Sequence, residues 1–224
     1  YMRKIRVVAI DLPGFGESDC CDEMHSMDLM ADVVKAVLDE AGVKKCVLVG
    51  HSMGGYVALA FAERYSELLK GLCLLNSHAL ADGEEKIKNR QRMCDIVAAN
   101  RAGFIVNFIP NLFAKCNRDI LDERIKDLQE YALYSSTNGI IAAIRGMMQR
   151  KARVDVLGSL QIPVLFVNVH AGLKIYGCKI YESNTLIRNL IPCYRKSDNV
   201  AGMYDALNKK FYENQGAGVF TAGA

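Results

Sequence analysis

No stretch of this 224-residue chain stays apolar for the ~20 residues that a membrane-spanning helix needs. Its first residues also lack the apolar core of a signal peptide, so no membrane span is expected. Charge of one sign is missing too. The 28 Lys and Arg face 25 Asp and Glu, a formal net charge of +3, and the two signs alternate along the chain. Nucleic-acid binding needs a basic stripe, and none is present. Among eight cysteines there is no C-x-x-C pair; Cys20 and Cys21 are adjacent, and Cys46 and Cys73 sit in apolar runs. Such spacing suits neither a disulfide framework nor a zinc site. It predicts reduced thiols in a cytoplasmic protein, with no metal and no cofactor. Histidine is scarce: four in all, and none after position 170. Internal repeats are absent.

What remains is a chain that is 51% hydrophobic, enough for a sizeable core. Ile5 to Ile10 is an apolar run of strand length, ended by the loop Asp11-Leu12-Pro13-Gly14-Phe15-Gly16. From Ser26, apolar residues at helical spacing (Leu29, Met30, Val33, Val34, Val37, Leu38, Ala41) predict a helix that stops at Gly42. Strands are expected at Cys46–Val49, Leu72–Leu75 and Pro163–Val167, with a helix from Val57 to Tyr65. Strands separated by helices imply a parallel sheet. Between residues 80 and 150 the strand-like runs vanish. Amphipathic segments replace them at Glu84–Ala99, Asp119–Tyr134 and Gly139–Arg150, which reads as an all-helical insertion. Met203–Asn214 is expected to form a closing helix, and the Gly/Ala-rich tail from about residue 215 to fray.

The most informative segment is Val47-Leu48-Val49-Gly50-His51-Ser52-Met53-Gly54-Gly55-Tyr56. A strand runs into G-x-S-x-G and on into a helix, the context of a nucleophile elbow. Glycines at 50 and 54 are expected where the turn leaves no room for side chains, with Ser52 in a strained conformation that projects its hydroxyl. The helix behind it would turn N–H groups and a positive dipole end towards an oxyanion.

Two motifs together carry a family resemblance. Val8-Ala9-Ile10-Asp11-Leu12-Pro13-Gly14-Phe15-Gly16-Glu17-Ser18 resembles the strand and D-x-P-G-x-G-x-S loop of α/β-hydrolase-fold proteins, and Leu48–Gly55 resembles their elbow. Val154–Leu157 followed by Ile162–Val167 resembles the return from a helical cap to the sheet, so the likeness covers roughly residues 5–170. The resemblance implies an α/β fold, a mostly parallel sheet with an inserted helical cap, divided as core (1–77), cap (78–153) and core (154–224). It implies that Ser52 attacks an acyl carbon and that the Met53 N–H forms half of an oxyanion hole. Relatives that open epoxides or dehalogenate carry aspartate at the elbow, and Ser52 argues against those.

Three parts of the family pattern are not found. The second oxyanion donor follows a strand upstream of the Asp11 loop. The acid position reads Val169-His170-Ala171-Gly172, with glycine for aspartate, and Asn199–Tyr204 resembles the flanks of the family histidine without the histidine. Among the histidines present, His51 belongs to the elbow and points away from the reaction, and His25 is expected at the surface or as a cap. His78 is a candidate for the cap mouth. His170, at the end of a strand, is the candidate surrogate base. Asp82, Asp155 and Asp198 are acids by composition only, with solvated surface roles expected. Phe104, Phe108, Phe113, Met147 and Met148 either line a pocket under the cap or pack the cap itself. The leading expectation is a serine hydrolase of small apolar acyl esters or related carbonyl substrates, impaired by the lost acid and base. The alternatives are a non-catalytic binder of an apolar ligand and an incomplete, N-terminally truncated copy.

Overall fold

A computed structural model describes residues 6–167, 178–182, 185–194, 201–205 and 207–213. Helix α1 (Met27–Glu40) starts where Ser26 caps it, the serine oxygen accepting the Leu29 N–H at 3.1 Å. Strand β1 (Cys46–His51) leads through the Ser52 turn into α2 (Met53–Arg64), and β2 (Leu69–Leu75) returns alongside β1. The helical insertion holds α3 (Glu84–Phe108), α4 (Asp122–Ala132) and α5 (Thr137–Met148), and α6 (Val154–Ser159) follows it. Helix α3 breaks at Asn100 (φ −155°, ψ 81°), whose side chain accepts the Gly103 N–H at 2.8 Å. The sequence expectation of a helix ending at Ala99 stops at that break.

Strand β3 (Val164–Val167) completes a parallel sheet of order β1-β2-β3, with Val49 opposite Cys73 and Cys73 opposite Leu165. One sheet face carries Leu48, Leu72 and Leu74, and the main core forms there with Met27, Met30 and Val34 of α1 and Leu59 and Phe61 of α2. The opposite face is open among the described residues: Val47 is 62% and Val49 57% exposed. Buried parallel strands read as continuous apolar runs because both faces expect cover.

Two expectations fail. Residues 6–10 form no strand, and Val7 is 80% exposed. Apolar residues of strand length are not enough, because a strand needs a neighbour to take its N–H and C=O groups, and none lies beside this run among the described residues. Nor do the described residues of 203–214 form a helix. Strand β4 (Cys178–Glu182), β5 (Thr185–Tyr194), β6 (Ala201–Asp205) and β7 (Lys210–Glu213) form a separate antiparallel sheet in sequential order. Tyr204 stands opposite Phe211 and Met203 opposite Tyr212 in the register, and tyrosine and phenylalanine have high strand propensity. The second core segment, expected as one unit over 154–224, thus gives only β3 to the parallel sheet among the described residues.

Both ends of the helical insertion are stitched together by charge. The Asp82 carboxylate, 0% exposed, accepts from Arg90 at 2.5 Å and Arg150 at 2.8 Å, with Lys86 at 3.5 Å. The surface role expected for it is therefore wrong: a carboxylate goes inside when guanidinium groups replace its water. Arg150 also stacks on the Tyr56 ring at 3.9 Å. Nearby, Arg153 donates to Asp28 at 2.8 Å and Glu63 at 2.9 Å, and its N–H reaches the Ala79 carbonyl at 2.7 Å. Burial raises the Asp82 pKa, but the hydrogen bonds from Arg150 and Arg90 outweigh it and bring it to about 2. A depressed carboxylate stabilises the fold above its unfolded pKa and loses that as pH falls towards its folded one.

Asp82→Asn should therefore destabilise the chain by about 3–5 kcal/mol at pH 7, since it leaves two buried guanidinium groups without their anion. The gap between wild type and variant in urea unfolding should narrow by roughly 2 kcal/mol between pH 4 and pH 2. A gap that is constant with pH would mean that Asp82 does not carry this charge.

Candidate functional site

Ser52 is the residue on which the β1–α2 turn pivots. Its backbone sits at φ 50°, ψ −113°, a region that an L-residue occupies only when its surroundings hold it there. Several contacts do so. The Ser52 N–H donates to the Leu75 carbonyl at 2.9 Å, and its carbonyl accepts from the Gly55 N–H at 3.0 Å and the Ser77 hydroxyl at 2.8 Å. Side chains are excluded by close backbone approach. A Cβ on Gly50 would strike the Gly54 carbonyl, and one on Gly55 would strike the Ser77 side chain. Gly54, expected to be sterically required, instead faces open space, with no positive φ. The tight spots are 50 and 55, because Gly55 packs against Gly50 of β1 and Ser77 while a side chain at Gly54 would meet open space.

The result is an exposed serine at the C-terminal end of a parallel strand and the N-terminus of α2. In open α/β sheets this is the edge where ligands bind, and the first N–H groups of the helix, starting with Met53, have no carbonyl of their own helix to pair with. Both residues expected at this position, Ser52 and Met53, are therefore adjacent at one helix N-terminus.

The expected partners are not at hand. Among the described residues no histidine or carboxylate hydrogen-bonds the Ser52 hydroxyl. His51 is exposed on β1. The His78 Nδ1 accepts the Leu80 N–H at 3.2 Å, and its Nε2 lies 3.3 Å from the Tyr56 hydroxyl and 3.4 Å from the Lys86 Nζ. Burial, then Lys86 and Arg150, lowers its pKa. His25 is fully buried, not at the surface as expected, because helix α5 closes over it: its N–H donates to the Ala142 carbonyl at 3.0 Å. Asp155 is exposed. His170 and Asp198 lie outside the described residues, as does the Gly/Ala-rich tail.

Sequence reasoning missed Ser77, which braces the elbow from the loop after β2; nothing in its local pattern marks it. The Asp11 loop has a structural task. Asp11 accepts the Glu17 N–H at 3.2 Å, the Ser18 hydroxyl donates to the Asp11 carbonyl at 2.8 Å, and Gly14 packs against Gly139 of α5. The aromatic set is mostly packing: Phe104 stacks on Phe108 at 5.2 Å and joins two small clusters of the insertion, and Phe113 joins one of them.

The glycines of this elbow make an asymmetric prediction. Gly50→Ala and Gly55→Ala should each destabilise the fold by roughly 1–3 kcal/mol through backbone displacement. Gly54→Ala should fall within about 1 kcal/mol of wild type, with either sign. Equal losses at 50 and 54 in thermal unfolding would contradict the geometry.

Known proteins share this arrangement. A family model described as alpha/beta hydrolase fold matches residues 3–95. Mouse "Epoxide hydrolase 4" is 40% identical over 78 residues, 34% of this chain and 22% of that protein. The acetyltransferase component of the acetoin cleaving system of Pseudomonas putida is 32% identical over 166 residues, 72% of this chain and 43% of that protein. The chain thus spans less than half the length of these curated relatives. The solved structure of a thermophilic esterase from Thermogutta terrifontis is 36% identical, with a TM-score of 0.66, covering 70% of this chain and 58% of that one. Motif, parallel sheet and elbow agree with these likenesses, and the chain has the α/β-hydrolase fold.

Proposed function

We propose that this chain carries the nucleophile half of a serine hydrolase acting on small apolar acyl esters or related carbonyl compounds. The observation that carries the reading is the Ser52 turn, with its exposed hydroxyl, φ of 50° and helix N-terminus immediately behind. In the reaction, Ser52 Oγ attacks the acyl carbon, and the negative oxygen that forms is held by the Met53 N–H. His170 is the surrogate base that would take the serine proton. The helical block over 78–153 acts as the cap, a role supported by the seat of α5 on the Asp11 loop and by the charged stitch at its two ends. The 36% identical esterase supports an ester substrate. The epoxide-hydrolase likeness covers 34% of this chain, and serine rather than aspartate stands at its elbow. The free state of Cys20, Cys21, Cys46, Cys73, Cys94 and Cys116 supports a reducing, cytoplasmic setting.

A second reading, a hydrolase-fold protein that binds an apolar ligand without turnover, is favoured by one observation. No described base reaches Ser52. Loss of the base in a serine hydrolase typically lowers kcat on the order of 10⁶-fold, about 8 kcal/mol.

Fluorophosphonate labelling read by intact mass separates the two. Hydrolase chemistry predicts one label per chain, lost in Ser52→Ala, and slowed at least about 100-fold in His170→Ala. A folded sample that takes no label would leave Ser52 as a relic and favour the binder.

A further inference from the structure

Away from Ser52, the segment joining the Asp11 loop to α1 brings a thiol against a buried imidazole. Cys20 Sγ lies 3.6 Å from His25 Nε2. His25 is 0% exposed, and its Nδ1 is buried without a hydrogen-bond partner. The Pro13 carbonyl favours the charged ring without reaching hydrogen-bonding geometry, as does Asp22, but burial dominates and lowers the His25 pKa. The ring is therefore neutral at pH 7 and able to accept a proton. The His25 backbone is fixed, because its N–H is tied to the Ala142 carbonyl and Gly146 packs on its own carbonyl.

Cys20 itself is exposed. It opens on a cavity of about 570 Å³ between this segment and α5, lined also by Cys21, Asp22, Glu23, Ile141 and Arg145. The thiol has a second contact, the Asp22 carbonyl at 3.4 Å, which accepts its hydrogen when the imidazole does not.

We propose that Cys20 is a modification site, a thiol that the buried His25 activates towards small uncharged peroxides and carbon electrophiles entering this cavity. Reactivity belongs to the thiolate, and an adjacent base supplies it. With hydrogen peroxide, the Sγ–H proton passes to His25 Nε2 as sulfur attacks one peroxide oxygen. The S–O bond forms, the O–O bond breaks, and the departing hydroxide takes the proton back from His25 as water, leaving a sulfenic acid. Sulfur is oxidised by two electrons and the peroxide is reduced. Uncharged reagents suit the cavity because Asp22 and Glu23 share its wall with Arg145. The modified sulfur sits on the seam with the helical insertion, where Arg145 donates to the Glu23 carbonyl at 3.2 Å.

Cys21 and Cys116 are exposed thiols without an imidazole contact and serve as internal controls. The full chain is treated with limiting iodoacetamide, or with hydrogen peroxide and a sulfenic-acid trap, and each cysteine is followed by fragment-ion mass mapping. Cys21→Ser confirms the assignment of the adjacent pair. Cys20 is expected to react at least about tenfold faster than Cys21 and Cys116. His25→Gln should bring it down to their rate. Equal rates at the three positions of the wild-type chain would overturn the proposal, whether or not His25→Gln folds. So would an undiminished Cys20 rate in a folded His25→Gln protein.

Discussion

The turn at Ser52 is the constraint on which the functional end of the molecule depends. A residue at φ 50° is stable only where its backbone groups have no better arrangement, and here the N–H is committed to Leu75 and the carbonyl to Gly55 and Ser77. These bonds link β1, α2 and the loop after β2, so the strain at one residue is spread over three elements. Missing side chains at Gly50 and Gly55 let the backbones approach closely enough for the bonds to form. Position, exposure and the helix dipole at Ser52 all follow from that one turn.

A second constraint fixes the insertion to the core. Residues 79–82 and 150–153 are far apart in sequence but meet through Asp82 with Arg150 and through the Arg153 N–H with Ala79. Closing so long a loop costs entropy that rises only slowly with length, and a buried charge cluster holds its ends in one geometry. The other seam is neutral and steric: Gly14 against Gly139 and Gly146 against the His25 carbonyl. The D-x-P-G-x-G-x-S motif is in this respect a seat for α5 as much as a loop near the site.

Much of the architecture was legible in local pattern. Ser26 and the apolar spacing behind it delimit α1, and the break at Asn100 falls beside the end expected at Ala99, because capping and periodicity are short-range effects. Where the reading failed, the deciding partner was remote. Residues 6–10 lack a neighbouring strand, and 203–213 found one across a hairpin. His25 and Asp82 read as surface residues because polar side chains usually are, yet α5 covers one and two arginines neutralise the other.

By itself, then, the sequence determined the elbow, the alternation of strands and helices, the helical insertion, and Ser52 with Met53 as the candidate chemistry, since G-x-S-x-G between a strand and a helix admits few conformations. Tertiary structure alone decided that Gly55 rather than Gly54 is the tight position, that Ser77 braces the turn, that Asp82 is buried among arginines, and that Cys20 meets His25. Each of these depends on which surfaces touch, and contacts between distant segments are settled by packing and desolvation, which no local window of sequence contains.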